Sequence, residues 1–207
     1  MKTGTEFDHG LLGHRCWLEL ANGERVELPV ERWTGRPCPG DDVLLDACTG
    51  PTLDIGCGPG RLTAALTRRG VASLGVDSSP TAVRLTHQRG GVALCRSVFD
   101  RMPGEGRWRH ALLADGNIGI GGEPAALLQR TAALIAEDGD VLVELDPPGF
   151  GLRHERVRLL PGRPEGRWFT WAWVGADRIT EVAATAGLHV AWIARHGHRW
   201  FARLEKV

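Results

Sequence analysis

Between residues 51 and 145 short apolar runs alternate with stretches whose apolar positions recur at helical spacing. Runs over 51–55, 72–76, 92–95, 110–114 and 141–145 predict strands. The stretches over 61–69, 80–88 and 124–136 predict helices, the first closed by Gly70, the second by Gly90-Gly91 and the third opened by Pro124. Such regular alternation predicts a parallel sheet with helices on its faces. The ends of the chain follow a different pattern. Residues 15–20 and 24–30 flank Asn22-Gly23 and predict a hairpin. Residues 34–40 carry loop chemistry, and Asp41-Asp42 opens a short helix that runs to 47. Beyond Asp146-Pro147-Pro148-Gly149, strands are expected at 157–160 and 168–174 around a turn at 161–166, and a helix at 176–186. A closing hairpin follows, 189–194 with 200–205, turning near His196-Gly197-His198.

The segment Asp54-Ile55-Gly56-Cys57-Gly58-Pro59-Gly60 leaves the first strand of the alternating region and enters a helix. Glycines there let the backbone turn sharply and approach a ligand, and the helix start offers free N–H groups. Dinucleotide dehydrogenases use G-x-G-x-x-G at this place. Here the spacing is G-x-G-x-G, Arg61 takes the sixth position, and an acid stands two residues before the first glycine. At the end of the next strand comes Gly75-Val76-Asp77-Ser78-Ser79.

Residues 54–60 resemble motif I of the class I (Rossmann-like) S-adenosylmethionine-dependent methyltransferases. The resemblance covers roughly residues 50–207. It implies an α/β fold with a seven-stranded, mostly parallel sheet, helices on both faces and a closing antiparallel hairpin. It also implies S-adenosylmethionine as cofactor, with Asp54, Gly56, Cys57, Gly58, Gly60, Ser78 and Asp115 around it, and Asp77 at the ribose hydroxyls. The family's adenine-binding acid is replaced here by Cys95-Arg96-Ser97-Val98-Phe99-Asp100, so Ser97, Asp100 and the backbone of Val98 are the candidates. After the strand at 110–114, Asp115 and Asn117 fall where the family faces both methyl group and acceptor, within a glycine-rich run that could equally be a turn that makes room. The Asn/Asp-Pro-Pro-aromatic box of nucleic-acid amino-methyltransferases is missing there. Asp146-Pro147-Pro148-Gly149 follows a later strand and is not read as that box.

Methyl transfer needs in-line geometry more than a special catalyst. A hydroxyl acceptor would also need a base, for which Asp115, Asp146 or a histidine could serve, His154 being the candidate histidine. Cys57 reads as a small side chain in a tight turn. His196 and His198 have no further ligands to suggest, so no metal is expected.

Two additions to the common core are expected to select the acceptor. One is an N-terminal hairpin and cap over residues 1–49, with Trp17 and Trp33. The other is a strand-pair insertion around 152–174 within the main domain of residues 50–207. Phe169, Trp171 and Trp173 repeat at period two and so share one face. They form either a core layer or a wall for a flat or apolar acceptor, with Arg153, Arg156 or Arg158 near any acidic group.

The 207 residues carry 25 basic and 25 acidic side chains, a balance that argues against a nucleic-acid partner. The charge is uneven: residues 1–49 hold five basic and nine acidic groups, residues 150–207 ten and five. Two ends of opposite sign could pack together or line a charged site. The five cysteines form no CxxC pair, which fits a reducing compartment, and no apolar run has the length of a membrane span. The expected protein is a cytoplasmic methyltransferase with a small-molecule acceptor, methylated at O or N, with no membrane partner and an oligomeric state that is not legible. The alternatives are a non-catalytic cofactor-binding subunit or an NAD-linked oxidoreductase.

Overall fold

The computed structural model describes residues 5–161 and 167–207. The predicted turn at 161–166 therefore lies almost wholly outside the described residues. The N-terminal part contains α1 (Asp8–Leu11), β1 (Trp17–Leu20), β2 (Arg25–Glu27), α2 (Val30–Thr34) and α3 (Asp42–Ala47). Next come β3 (Thr52–Ile55), α4 (Arg61–Arg68), β4 (Ser73–Asp77), α5 (Pro80–Gln88), β5 (Ala93–Cys95), β6 (Trp108–Leu113), α6 (Pro124–Leu134) and β7 (Ile135–Leu145). The chain ends with β8 (Leu152–Leu160), β9 (Phe169–Val174), α7 (Ile179–Ala184), β10 (Leu188–His196) and β11 (Arg199–Lys206).

The main sheet has seven strands in the order β10-β11-β7-β6-β3-β4-β5. The five from β3 to β7 are parallel, and β11 and β10 close it as an antiparallel hairpin, as expected. Parallel strands covered on both faces read as continuous apolar runs. Leu53, Ile55, Ala111, Leu112, Leu113, Val141, Leu142 and Val143 are accordingly buried. β7 starts six residues earlier than its apolar run. Its first half begins at the buried Ile135, is broken by the exposed Glu137 and Asp138, and joins the sheet through a register shift opposite Trp108 and His110. α2 falls where the sequence predicted the end of a strand: Pro29 cannot continue a ladder and stands as the N-cap residue instead. Among the described residues no helix is long and apolar enough to cross a membrane.

A second, antiparallel sheet has the order β2-β1-β8-β9. The N-terminal hairpin and the later strand pair, expected as separate additions, are thus one structure. Leu20 pairs with Val157 and Val157 with Phe169; Glu155 pairs with Trp171 and Arg153 with Trp173. Directly opposed residues share a face, so Leu18, Leu20, Val157, Leu159, Phe169, Trp171 and Trp173 lie on one side. β9 also packs on a 3-10 segment, Asn117–Gly122, with the Trp171 indole and the Ala172 carbonyl both against Gly119. A Cβ at Gly119 would lie 2.1 Å from the carbonyl oxygen of Ala172. The glycine-rich run therefore makes room for β9. The oppositely charged ends pack together, through Arg158 on Glu19 (2.6 Å) and Arg199 on Asp41 (2.9 Å).

Candidate active site

The carboxyl ends of β3, β4, β6 and β7 open into a cavity of about 980 Å³, where ligands bind in open α/β sheets. Small-molecule sites span roughly 300–1,000 Å³, so this one lies at the upper end. The aromatic face of the small sheet, α1 and α2 cover it: Phe7, Leu11, Arg32, Trp33, Phe169, Trp171 and Trp173 all line it. Phe7 packs on Trp171 and Phe169 at 5.6 and 5.8 Å between ring centroids. Trp17 does not reach the cavity; Arg15 lies over its ring instead.

The three motif glycines all have positive φ but serve different ends. A Cβ on Gly60 would lie 2.7 Å from Cα of Thr86, and one on Gly56 would strike Asn117. A Cβ on Gly58 would meet only Leu11, at 3.5 Å, and Gly58 lines the cavity. Gly58 is therefore the glycine whose missing side chain leaves the cavity open. Cys57 packs on Gly75 and Thr86, and burial pushes its thiol well above the ordinary range, which keeps it unreactive.

Asp54 is buried; the Thr63 hydroxyl donates to it at 2.6 Å, and burial pushes its carboxyl up to about 6. Asp77 accepts from the amides of Gly58 (3.0 Å) and Ser79 (2.8 Å), tying β4 to the motif loop; burial raises its carboxyl as well. Its neighbour Ser78 lines the cavity too. Ser97, Val98 and Asp100 stand together on the wall. Ser97 accepts from the amide of Phe99, and the Val98 carbonyl accepts from Arg130.

One group of residues escaped the sequence reading. Arg61, only 3% exposed in the first turn of α4, pairs with Asp41 and with Asp115 (2.5 Å). Asp41 continues to Arg199 (2.9 Å), Arg199 to Glu144 (2.7 Å), Glu144 to Arg32 (3.5 Å), and Arg32 back to Asp115 (3.0 Å). Three arginines and three carboxylates close a neutral ring. Arg32, Arg61, Asp115 and Glu144 present part of it to the cavity. Burial opposes the charge on Glu144, yet Arg199 and Arg32 hold its carboxyl below the ordinary range. On Asp115 burial prevails over Arg61 and raises the carboxyl. The signal available beforehand was Arg61 itself, a charge at the start of an otherwise apolar helix turn.

The residues expected to act on the acceptor are dispersed. Asp115 lines the cavity at φ 54°, the single non-glycine residue with positive φ among those described, and its carboxylate is committed to Arg61 and Arg32. Asn117 donates to the carbonyls of Ile55 (2.8 Å) and Gly56 (2.9 Å), bracing the motif loop. His154 is not brought to the site: strand alternation puts it opposite Ala172, where its Nδ1 bonds the Gly122 carbonyl (2.8 Å). Arg153, Arg156 and Arg158 do not line the cavity either; Arg153 lies over Trp173, and the other two over Trp168. Asp146, at the end of β7, does line it. Burial and then Glu144 push its carboxyl up to about 6.

A family model described as a methyltransferase domain matches residues 52–139. An uncharacterized protein of Mycobacterium tuberculosis is 26% identical over 201 residues, which cover 84% of this chain and 66% of that protein; the chain thus spans just under two thirds of that relative. The crystal structure of an S-adenosylmethionine-dependent methyltransferase from Bacteroides fragilis, in complex with S-adenosylhomocysteine, superposes with a TM-score of 0.79 at 21% identity, covering 100% of this chain and 94% of that one. That of 1,6-didemethyltoxoflavin-N1-methyltransferase from Burkholderia thailandensis gives 0.63 at 19% identity, covering 82% and 77%. The likeness to these structures is one of fold, a class I methyltransferase fold, and it agrees with the motif and with the methyltransferase domain matched over residues 52–139.

Proposed function

We propose that this chain binds S-adenosylmethionine and transfers its methyl group to oxygen or nitrogen of a small molecule with a flat or apolar body. The observation that carries the reading is the open face of Gly58 beside Asp77, in a cavity large enough for cofactor and acceptor together. Bound there, the cofactor supplies an activated methyl group with a neutral leaving group. Asp77 has lone pairs left for ribose hydroxyls beyond the two amides it already accepts from. Ser97, Asp100 and the Val98 backbone offer polar atoms to the base, and the Arg32–Asp115 pair offers both signs of charge to an amino-acid group. Residues 5–49 and 152–174 act together as the cap that chooses the acceptor. The five cysteines are free thiols, in keeping with a cytoplasmic setting.

Calorimetry should show binding of S-adenosylhomocysteine and none of NAD; tight NAD binding would overturn the reading. Loss of a hydrogen bond to a charged group costs about 1.5–3 kcal/mol, so Asp77→Ala should weaken S-adenosylhomocysteine binding about tenfold to a hundredfold. An unchanged dissociation constant would remove Asp77 from the ribose site.

The wall predicts a different split. Trp173→Ala should depress turnover while leaving cofactor affinity within about threefold, since Trp173 lines the cavity from β9 and not from the motif loop. Acceptor kinetics and cofactor titration on the same variant, with thermal unfolding alongside, provide the check. Normal turnover in a folded variant would place the acceptor elsewhere.

A further inference from the structure

We propose that Asp146 is the general base of the acceptor site, and that the acceptor presents to it a hydroxyl group on an aromatic ring. This rests on the methyltransferase reading above and goes beyond it by assigning the proton's destination and the acceptor's chemical class.

The assignment follows from what the buried carboxylates around the cavity are already doing. Asp54 holds the Thr63 hydroxyl. Asp77 holds two backbone amides. Asp115 is bound by Arg61 and Arg32, and Glu144 by Arg199. Asp146 carries no guanidinium or hydroxyl on its carboxyl among the described residues. The backbone of Val174 and the more distant charge of Arg153 on β8 favour its ionised form, while burial and Glu144 on its own strand oppose it. Among the described residues it forms no ion pair at the cavity wall.

Its position is fixed. The Asp146 amide donates to the Val174 carbonyl (3.0 Å), and the Asp146 carbonyl accepts from the Ala176 amide (2.9 Å). Those bonds pin Asp146 to the end of β9, one residue beyond Trp173, where the row of aromatic side chains ends. Asp146 thus stands at the end of the wall on which a flat ring would lie, and lines the same cavity.

The chemistry then selects the acceptor. The acceptor oxygen's lone pair forms the new bond to the methyl carbon as the carbon–sulfur bond breaks, and the electrons of the broken bond stay with sulfur. The hydroxyl proton passes to the Asp146 carboxylate and from there to water. A neutral amine has a free lone pair and needs no base before attack. The aromatic wall of Phe169, Trp171 and Trp173 suits a hydroxyl carried on a flat ring. Such a phenol-type hydroxyl, with a pKa of about 10, is far easier for a carboxylate to deprotonate than an aliphatic one, and base catalysis is most effective when the two pKa values approach each other.

The test uses 4-nitrophenol as probe, because its absorbance reports its own protonation state. S-Adenosylhomocysteine-loaded wild type should bind the neutral form preferentially. The bound probe should therefore titrate about one pH unit higher than in the same complex of Asp146→Asn, where the like charge is gone. In a coupled assay for S-adenosylhomocysteine with catechol, 2-naphthol and 4-nitrophenol as acceptors, wild type should turn over at least one. Its rate should fall as pH drops through about 6, where protonation consumes the base. Asp146→Asn should lose about a hundredfold or more in kcat with cofactor affinity kept, and Asp146→Glu should recover part of it. The same probe titration in wild type and Asp146→Asn, or no probe binding at all, overturns the assignment. If S-adenosylhomocysteine itself fails to bind, the methyltransferase reading falls instead.

Discussion

Gly58→Val should bind S-adenosylhomocysteine at least a hundredfold more weakly than wild type and still fold. The side chain at this position has free space before it, bounded by Leu11 at 3.5 Å, and that space belongs to the cavity. Its backbone φ of 52° imposes left-handed strain on any residue with a Cβ, about 1–2 kcal/mol, which lowers the melting temperature by several degrees. The comparison that gives the result meaning is Gly60→Ala. There a single methyl group would press on the Thr86 backbone, so stability falls first and binding is lost as a consequence. Calorimetry and thermal unfolding on the two variants separate the roles. Near-normal affinity in Gly58→Val would mean that the cofactor does not pass over this glycine.

The largest loss of stability is expected from Arg61→Met. Asp41 is fully buried and Asp115 largely so, and each would lose one of its two arginines, Asp41 keeping Arg199 and Asp115 keeping Arg32. Removing one partner of a buried ion pair costs about 3–5 kcal/mol, because the remaining charge keeps its desolvation penalty. For a chain of this size that is a fall of about 10 °C or more in melting temperature. Arg69→Met is the control. Arg69 also pairs with two aspartates, Asp42 and Asp46, but at the surface, where such pairs contribute about 1 kcal/mol or less. Equal melting temperatures for the two variants would show that the ring does not hold the cap to the core.

How far the sequence revealed this arrangement depended on the distance over which each signal acts. The parallel strands were legible because each is buried on both faces and stands as a closed apolar run between helices. The cofactor loop was legible because its glycines, Asp54 and the start of α4 lie within a few residues of one another. The hairpin of β1 and β2 announced itself through Asn22-Gly23, but nothing local indicates that Leu20 pairs with Val157. The ionic ring was invisible for the same reason: Arg32, Asp41, Arg61, Asp115, Glu144 and Arg199 lie on separate segments, and only the fold makes them neighbours. His154 was suggested by its nearness to a strand end. The strand proved to begin at Leu152, and the alternation it imposes turns that histidine away from the cavity.

The pairing of Trp17 with Leu160 has a consequence for how the protein is made. While the ribosome is still translating the middle of the chain, β1 and β2 form only a two-stranded ribbon, which is marginal in water. It must wait, with Leu18 and Leu20 uncovered, until β8 emerges. The parallel strands β3 to β7 all precede β8 in the chain and can begin to pair before it emerges, whereas the roof closes only with β8, and β10 and β11 complete the main sheet later still. The same dependence constrains evolution and engineering. Exchanging residues 152–174 alone gives β1 a foreign edge, so a new acceptor preference has to be inherited through both ends of the chain at once.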